Sequence, residues 1–316
     1  MSTDLFLSKA FSQSLHPTNI IPFYYRATGT FDDDDVTLTT LVTSNRFNVF
    51  AQLVQRYQGP ISATVHIRAL PGGPTSKATH ALLDALHALY TTTPMMPTFV
   101  DIHLVLSPFD RSLNTWRNAA RLFARTRYVM MLDVDFAVCT DFRAAVRAEL
   151  SRVGRLLATG QAALVVPAFE YVRQQDGLDQ RTFPRDKPSL LSLLKAHKID
   201  MFHRAWAPGH NATDYERYAA AAPGEVYAVT QYQSAYEPYV IFRKDGPPWC
   251  DERFIGYGGN KAACLYAMYV SGVAFYVLAD HFVVHQSHAY EEAVRKVERK
   301  TNRKIYQDFK EETCLK

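Results

Sequence analysis

Two acids, Asp133 and Asp135, stand in an otherwise apolar run, MLDVDFAV at residues 131–138. A buried carboxylate without a partner is costly, and two side by side repel each other. In an extended strand, residues i and i+2 point the same way, with Cα atoms about 6.6 Å apart. Carboxylates so placed can share a hard divalent cation, Mg²⁺ or Mn²⁺, with substrate phosphates completing the shell. The plainer alternative is a pair of acids that caps a helix or meets arginines.

Three further stretches carry groups of the same kind. In LNTWRNAAR, Asn114, Arg117 and Asn118 fall at i, i+3 and i+4, one face of a helix. Trp116, Ala119, Ala120, Leu122 and Phe123 supply its apolar contacts. The polar face is either solvated or a clamp for a phosphorylated or anionic ligand. WCDERFIGYGGNKAA, residues 249–263, presents Asp251 before aromatic and glycine turns and a helix. A carboxylate so held can act as a general base; alternatively it caps a turn or pairs with Arg253. In DHFVVHQSH, His285 follows a late strand and can supply a third metal ligand, with His281 and His288 competing for that role.

The elements that must position these groups are legible in outline. VTLTTLVT, ISATVHI, FVDIHLVLS and YVMMLDV read as strands, rich in β-branched residues. Between them, RFNVFAQLVQRY, TSKATHALLDALHALY and LNTWRNAARLFARTR have helical spacing. Strands alternating with helices predict an α/β fold with a mostly parallel sheet covered on both faces. Ligands on such sheets bind beyond the carboxyl ends of the strands, where Asp133 and Asp135 fall. After Thr140 the alternation loosens into a half richer in loops, with strands at PYVIFRK and VAFYVLADHFVVH. The last segment places Tyr290, Val294, Val297, Thr301, Ile305 and Phe309 on one helix face. The expected organisation is an N-terminal extension, residues 1–35, then one two-lobed domain, residues 36–316. Its first half, 36–140, is the nucleotide side and its second, 141–316, the acceptor side. Residues 29–35, GTFDDDD, read as a solvated acidic tip.

The 316 residues are 47% hydrophobic, enough for a sizeable core. Net charge is +4, from 35 basic and 31 acidic residues that are interspersed, so nothing argues for nucleic acid. No apolar run approaches a membrane span, and the N-terminus lacks a signal-peptide core, which predicts a soluble body. Cys139, Cys250, Cys264 and Cys314 have no metal-binding spacing and read as buried free thiols. Asn211-Ala-Thr213 is one glycosylation sequon.

Taken in order, LVQRYQGPISATVHI, LNTWRNAARLFARTRYVMMLDVDF, HNATDYERY, YEPYVIFRKDGPPWCDERFIGYGGNK and HFVVHQSH resemble glycosyltransferase family 49, the LARGE-type and β-1,4-glucuronyltransferase enzymes. The resemblance runs from Val36 to the end. It implies a GT-A fold, a UDP-sugar donor, a glycan or glycoprotein acceptor and inverting chemistry. On this resemblance Asp133, Asp135 and His285 hold Mn²⁺ (or Mg²⁺), with Val134 between the acids at the donor. Arg117, Asn118 and Asn114 lie near the donor, as do Thr43 and Arg46 after the first strand. Asp251 is the base, with Glu252 the weaker candidate, and Lys261 meets a sugar carboxylate or phosphate. Relatives carry a bulky aromatic where this chain has Gly259, which would open the sugar pocket. Glucuronic acid is the sugar that the resemblance favours, and the Golgi lumen or secretory pathway the location, with a cytoplasmic location the alternative. Two other readings compete: a catalytically silent sugar-binding protein of the same fold, and a metal-dependent phosphoester hydrolase, which would need more clustered carboxylates.

Overall fold

The computed structural model describes residues 20–68, 76–107, 111–148, 154–289 and 292–315. The Pro-Gly-Gly-Pro sequence at 71–74, the first 19 residues and Tyr290 lie outside them, as does the side chain of Val294.

The first half is built as the alternation predicts. Strands β2 (Val36–Thr43), β3 (Ile61–Arg68), β4 (Val100–Ser107) and β5 (Tyr128–Met131) alternate with helices α1 (Phe47–Tyr57), α2 (Lys77–Thr92) and α3 (Leu113–Leu122). Strand β2 pairs in parallel with both β3 and β5, and β3 with β4. Covered on both faces, these strands carry near-continuous buried runs, among them Val36, Leu38, Val42, Ile61, Ala63, Val65 and Ile67. Strand β1 (Ile20–Tyr25), inside the segment expected to be an extension, pairs antiparallel with β4 at the sheet edge.

The second half adds β6 (Phe136–Val138), β7 (Ala162–Val166), β8 (Ala168–Tyr171), β9 (Ile199–Met201), β10 (Val226–Ala228), β11 (Tyr239–Arg243), helix α4 (Asn260–Val270), β12 (Ala274–Leu278), β13 (Val283–His285) and the long helix α5 (Glu292–Cys314). The large sheet runs β1-β4-β3-β2-β5-β11-β7-β12-β10, and a small one runs β6-β13-β8-β9. The large sheet is mixed. Its main parallel run is β4-β3-β2-β5, β11 enters antiparallel between β5 and β7, and β7 pairs in parallel with β12. The α/β class with helices flanking a central sheet is therefore as expected, with the parallel order confined mainly to the first half.

Several local expectations are corrected. Asp35, in the acidic tip, is buried, and both its oxygens accept from the Arg143 guanidinium. Leu122 is exposed rather than packed, because it closes α3 on the side away from the sheet. On α5, Val297 is 70% exposed, while Asn302, Ile305, Tyr306 and Phe309 face the protein. Cys250 and Cys264 form a disulfide instead of standing free, and only Cys139 is a buried free thiol. Among the described residues, no helix is long and apolar enough to cross a membrane.

Candidate active site

Strand β5 ends at Met131 and the chain turns through Val134 and Asp135, the Phe136 N–H donating to the Asp133 carbonyl at 3.1 Å. This turn carries the chain from the large sheet into the small one. It also breaks the two-residue alternation of a strand, so Asp133 and Asp135 diverge. They do not share one face, as the strand reading had it.

Asp135 faces the end of β13. Its Oδ2 lies 2.9 Å from His288 Nε2 and 3.6 Å from His285 Nε2. One ligand atom from each of these three residues falls within 4.8 Å of the other two. The register of the small sheet makes this possible, since His285 of β13 pairs with Phe136 of β6, next to Asp135. The Gln286 N–H also donates to the Asp135 carbonyl at 2.7 Å. Burial alone would raise the Asp135 carboxyl, but hydrogen bonds from the two imidazoles hold it far below the usual range. One carboxylate and two imidazoles suit a divalent transition ion better than Mg²⁺, which prefers oxygen shells. Sequence reasoning ranked His288 below His285; the geometry brings in both. His281 is elsewhere, 3.0 Å from Thr140 Oγ1.

Asp133 faces the other way. Its carboxylate accepts from Arg117 Nη2 at 3.2 Å, Lys261 Nζ at 3.3 Å and Tyr239 Oη at 2.8 Å. Burial pushes this carboxyl up, but Lys261 and Arg117 outweigh it and hold the group at about 2. Asp133 is thus the shared counter-ion of two buried cations and lies outside the Asp135–His285–His288 group. The Lys261 ammonium also sits 3.8 Å from the centre of the Tyr239 ring, a cation–π contact.

One face of α3 clamps the loop that precedes α4. Asn114 Nδ2 donates to the carbonyls of Asp251 and Asn260 at 2.8 and 3.0 Å. Arg117 Nη1 donates to Asn114 Oδ1 and Asn260 Oδ1 at 3.0 and 2.6 Å. Asn118 Nδ2 donates to Cys250 O and Glu252 Oε1 at 2.9 and 2.8 Å, and its Oδ1 accepts from the Cys250 N–H at 3.0 Å. One turn on, Arg121 donates to the carbonyls of Lys244, Pro248 and Pro247 at 2.8, 2.7 and 2.6 Å. The helix face is buried, not solvated. Asn114 and Asn118 thus tie this scaffold together, while Arg117 also reaches Asp133. Arg121 escaped the sequence reading, although it continues the same face at i+7.

Asp251 takes up the alternative given for it. Arg253 meets its carboxylate through Nε at 3.0 and 2.9 Å and Nη2 at 2.6 Å, and the Arg253 N–H adds 2.9 Å. Arg253 also grips Glu312 of α5 at 2.9 and 2.8 Å. Arg253 thus engages both oxygens of the Asp251 carboxylate, the pairing given as the alternative to a base. Glu252 is engaged too, by Thr115 Oγ1 at 3.1 Å and by Asn118.

Gly259 does not leave an opening. It has φ +70°, and a Cβ there would stand 3.3 Å from the Tyr306 ring, which occupies the space from α5. At the end of β2, Thr43 donates to Asn45 Oδ1 at 2.6 Å and Arg46 closes a short turn, both half-buried. Val134 is buried in the turn between the two acids.

Comparison with known proteins bears on this site. The family model described as glycosyl-transferase for dystroglycan matches residues 35–112 and 109–316. Xylosyl- and glucuronyltransferase LARGE2 of Rattus norvegicus is 32% identical over 264 residues, 81% of this chain and 35% of that protein. LARGE1 of Danio rerio is 28% identical over 278 residues, 87% and 34%. The chain spans about a third of the length of these relatives. Among solved structures, GalNAc-T7 with UDP, GalNAc and Mn²⁺ aligns at TM-score 0.46 and 12% identity, over 83% of this chain and 45% of that one. The mannosyltransferase PcManGT of Pyrobaculum calidifontis with GDP-Man and Mn²⁺ aligns at 0.43 and 12%, over 93% and 68%. The matched span contains every group described above, and the chain belongs to glycosyltransferase family 49, the glycosyl-transferases for dystroglycan.

Proposed function

We propose that this chain transfers a sugar from a UDP-sugar to a glycan hydroxyl, with a divalent cation and inversion at the anomeric carbon. The observation that carries the reading is the juxtaposition of two groups on one turn. Asp135, His285 and His288 form a compact ligand set, and beside it Asp133 holds Arg117 and Lys261 in place. Asp135, His285 and His288 would hold Mn²⁺, which would supply charge neutralisation for the departing diphosphate. Arg117 and Lys261 are the fixed cations on the Asp133 side, suited to phosphate oxygens or to the carboxylate of a uronic acid, and they favour glucuronic acid as the sugar. Thr43 and Arg46, beyond β2, are assigned to the nucleotide, with Val134 between the acids. Residues 36–140 then serve the nucleotide and 141–316 the acceptor, with residues 1–35 leading into the fold.

The Cys250–Cys264 disulfide favours the secretory pathway, where such bonds persist. The test is a screen of UDP-sugars for UDP release, with and without Mn²⁺ and with a chelator. Metal-dependent release that rises with a glycan acceptor supports the proposal. UDP binding without turnover points to the silent sugar-binding protein, and cleavage that ignores acceptors to the hydrolase.

A further inference from the structure

A second carboxylate lies on the side of Arg117, Lys261 and Asp133, and its surroundings differ from those of Asp251. Glu237 precedes β11, and its backbone N–H donates to the Gly209 carbonyl at 2.7 Å, tying it to the segment Arg204–Gly209. It lies within electrostatic reach of Lys261, Arg117 and Asp133 on one side and of Tyr306 on another. Among the described residues, no hydrogen bond or ion pair engages its carboxylate. It is half-buried, neither sealed in the core nor fully hydrated.

The segment tied to Glu237 carries Trp206, a large aromatic that is 60% exposed. Trp206 lies over Gly209, its Cδ1 3.4 Å from where a Cβ would stand, so the ring is held beside the backbone to which Glu237 bonds. An exposed indole and an unengaged carboxylate, joined through the Gly209 backbone, are the two groups that a pyranose acceptor needs: an apolar face for the ring and a proton acceptor for its hydroxyl.

We infer that Glu237 and Trp206 form the acceptor subsite, with Trp206 stacking on the acceptor pyranose and Glu237 taking the proton from its attacking hydroxyl. The inference rests on the glycosyl-transfer reading above. In the step, the hydroxyl oxygen forms a bond to the anomeric carbon of the donor. The bond from that carbon to the diphosphate oxygen breaks, and its electron pair leaves with UDP. The hydroxyl proton passes to the Glu237 carboxylate and then to solvent. Burial holds the Glu237 carboxyl above the ordinary range, with Lys261 and Arg117 pulling it partly back, and a raised carboxyl is the better base.

The test is steady-state transfer from the UDP-sugar that the wild type uses to a panel of 4-nitrophenyl pyranosides, alongside calorimetric binding of UDP with Mn²⁺. Glu237→Gln is expected to lower kcat by about 100-fold or more with little change in acceptor KM. Trp206→Ala is expected to raise acceptor KM about tenfold with kcat within threefold of wild type. Both variants should bind UDP and Mn²⁺ as the wild type does, which establishes that they are folded. A Glu237→Gln enzyme with near wild-type kcat, or a Trp206→Ala enzyme with unchanged KM, overturns the subsite while leaving the transferase reading intact. A wild type that releases no UDP from any donor overturns both.

Discussion

Asp133 and Asp135 are two residues apart and face different partners: Asp133 Oδ1 meets Arg117 at 3.2 Å, and Asp135 Oδ2 meets His288 at 2.9 Å. The turn between β5 and β6 separates their tasks. One acid fixes two cations, and the other belongs to a ligand set. That division makes the two acids experimentally distinguishable.

Asp135→Asn should lower Mn²⁺ affinity far more than Asp133→Asn does. The first removes a charged ligand from a three-residue set, so calorimetry should give a loss of about 100-fold or more. The second leaves that set whole but strips Arg117 and Lys261 of their counter-ion. Breaking a buried pair costs about 3–5 kcal/mol, and with the Asp133 side chain 30% exposed the expected loss is nearer 1–3 kcal/mol. Equal losses of Mn²⁺ affinity would mean that both acids hold the ion.

Arg121→Met tests the α3 clamp. The guanidinium satisfies three carbonyls of the 244–248 segment and lies 4.2 Å from the centre of the Trp249 ring. Burial lowers the Arg121 group to about 10, so it remains charged at neutral pH. Truncation leaves buried acceptors unmet, each at a cost of about 1–3 kcal/mol before water enters, so a loss of about 3 kcal/mol in urea unfolding is expected. Arg121→Lys should recover little of it, because an ammonium cannot span three carbonyls in a plane. Full stability in the lysine variant would contradict the clamp.

The sequence announced the groups better than their partners. Periodicity located β2 to β5 and the polar face of α3, because both depend on short-range spacing. The direction of the Asp135 side chain depends on a turn joining two sheets, and its histidines arrive 150 residues later. The Asp251–Arg253 pair is two residues long and was legible as an alternative, but choosing it required Glu312 from the last helix. The disulfide was hidden for the same reason: nothing in a spacing of 14 residues says that α4 folds back beside the loop. Glu237 has no local signal, being a lone acid before a strand.

Gly259 and Tyr306 should behave as a coupled pair. Gly259 is left-handed and faces the Tyr306 ring, whose hydroxyl donates to the Ser234 carbonyl. Gly259→Trp meets both backbone strain, about 1–2 kcal/mol, and the ring. With Tyr306→Ala the steric part should vanish. The double variant should therefore be more stable than the sum of the singles by about 1 kcal/mol or more in a double-mutant cycle. Simple additivity would show that the two residues do not compete for one space.

Acid sensitivity should trace in part to His103. Its Nδ1 accepts from the Phe23 N–H at 3.0 Å, so its proton sits on Nε2, which faces Ser62 Oγ at 3.0 Å; that hydroxyl in turn donates to the Ala120 carbonyl. The ring is fully buried, and burial lowers it from 6.5 to about 3. The neutral form is thus favoured in the folded chain. As pH falls below 6.5 the unfolded chain takes up a proton that the folded chain refuses, and stability is lost until about 3 is reached. The slope is roughly 1.4 kcal/mol per pH unit once the unfolded histidine is fully protonated. His103→Gln keeps an acceptor for Phe23 and a donor for Ser62 but cannot titrate. Its unfolding free energy at neutral pH should be lower than that of the wild type. The gap should narrow from pH 6 to pH 4, because only the wild type loses stability through His103, while His203, His210 and His281, lowered in the same sense, remain in both proteins and cancel. Urea unfolding across that range measures the difference directly, and curves that stay parallel would mean that His103 titrates freely in the folded chain.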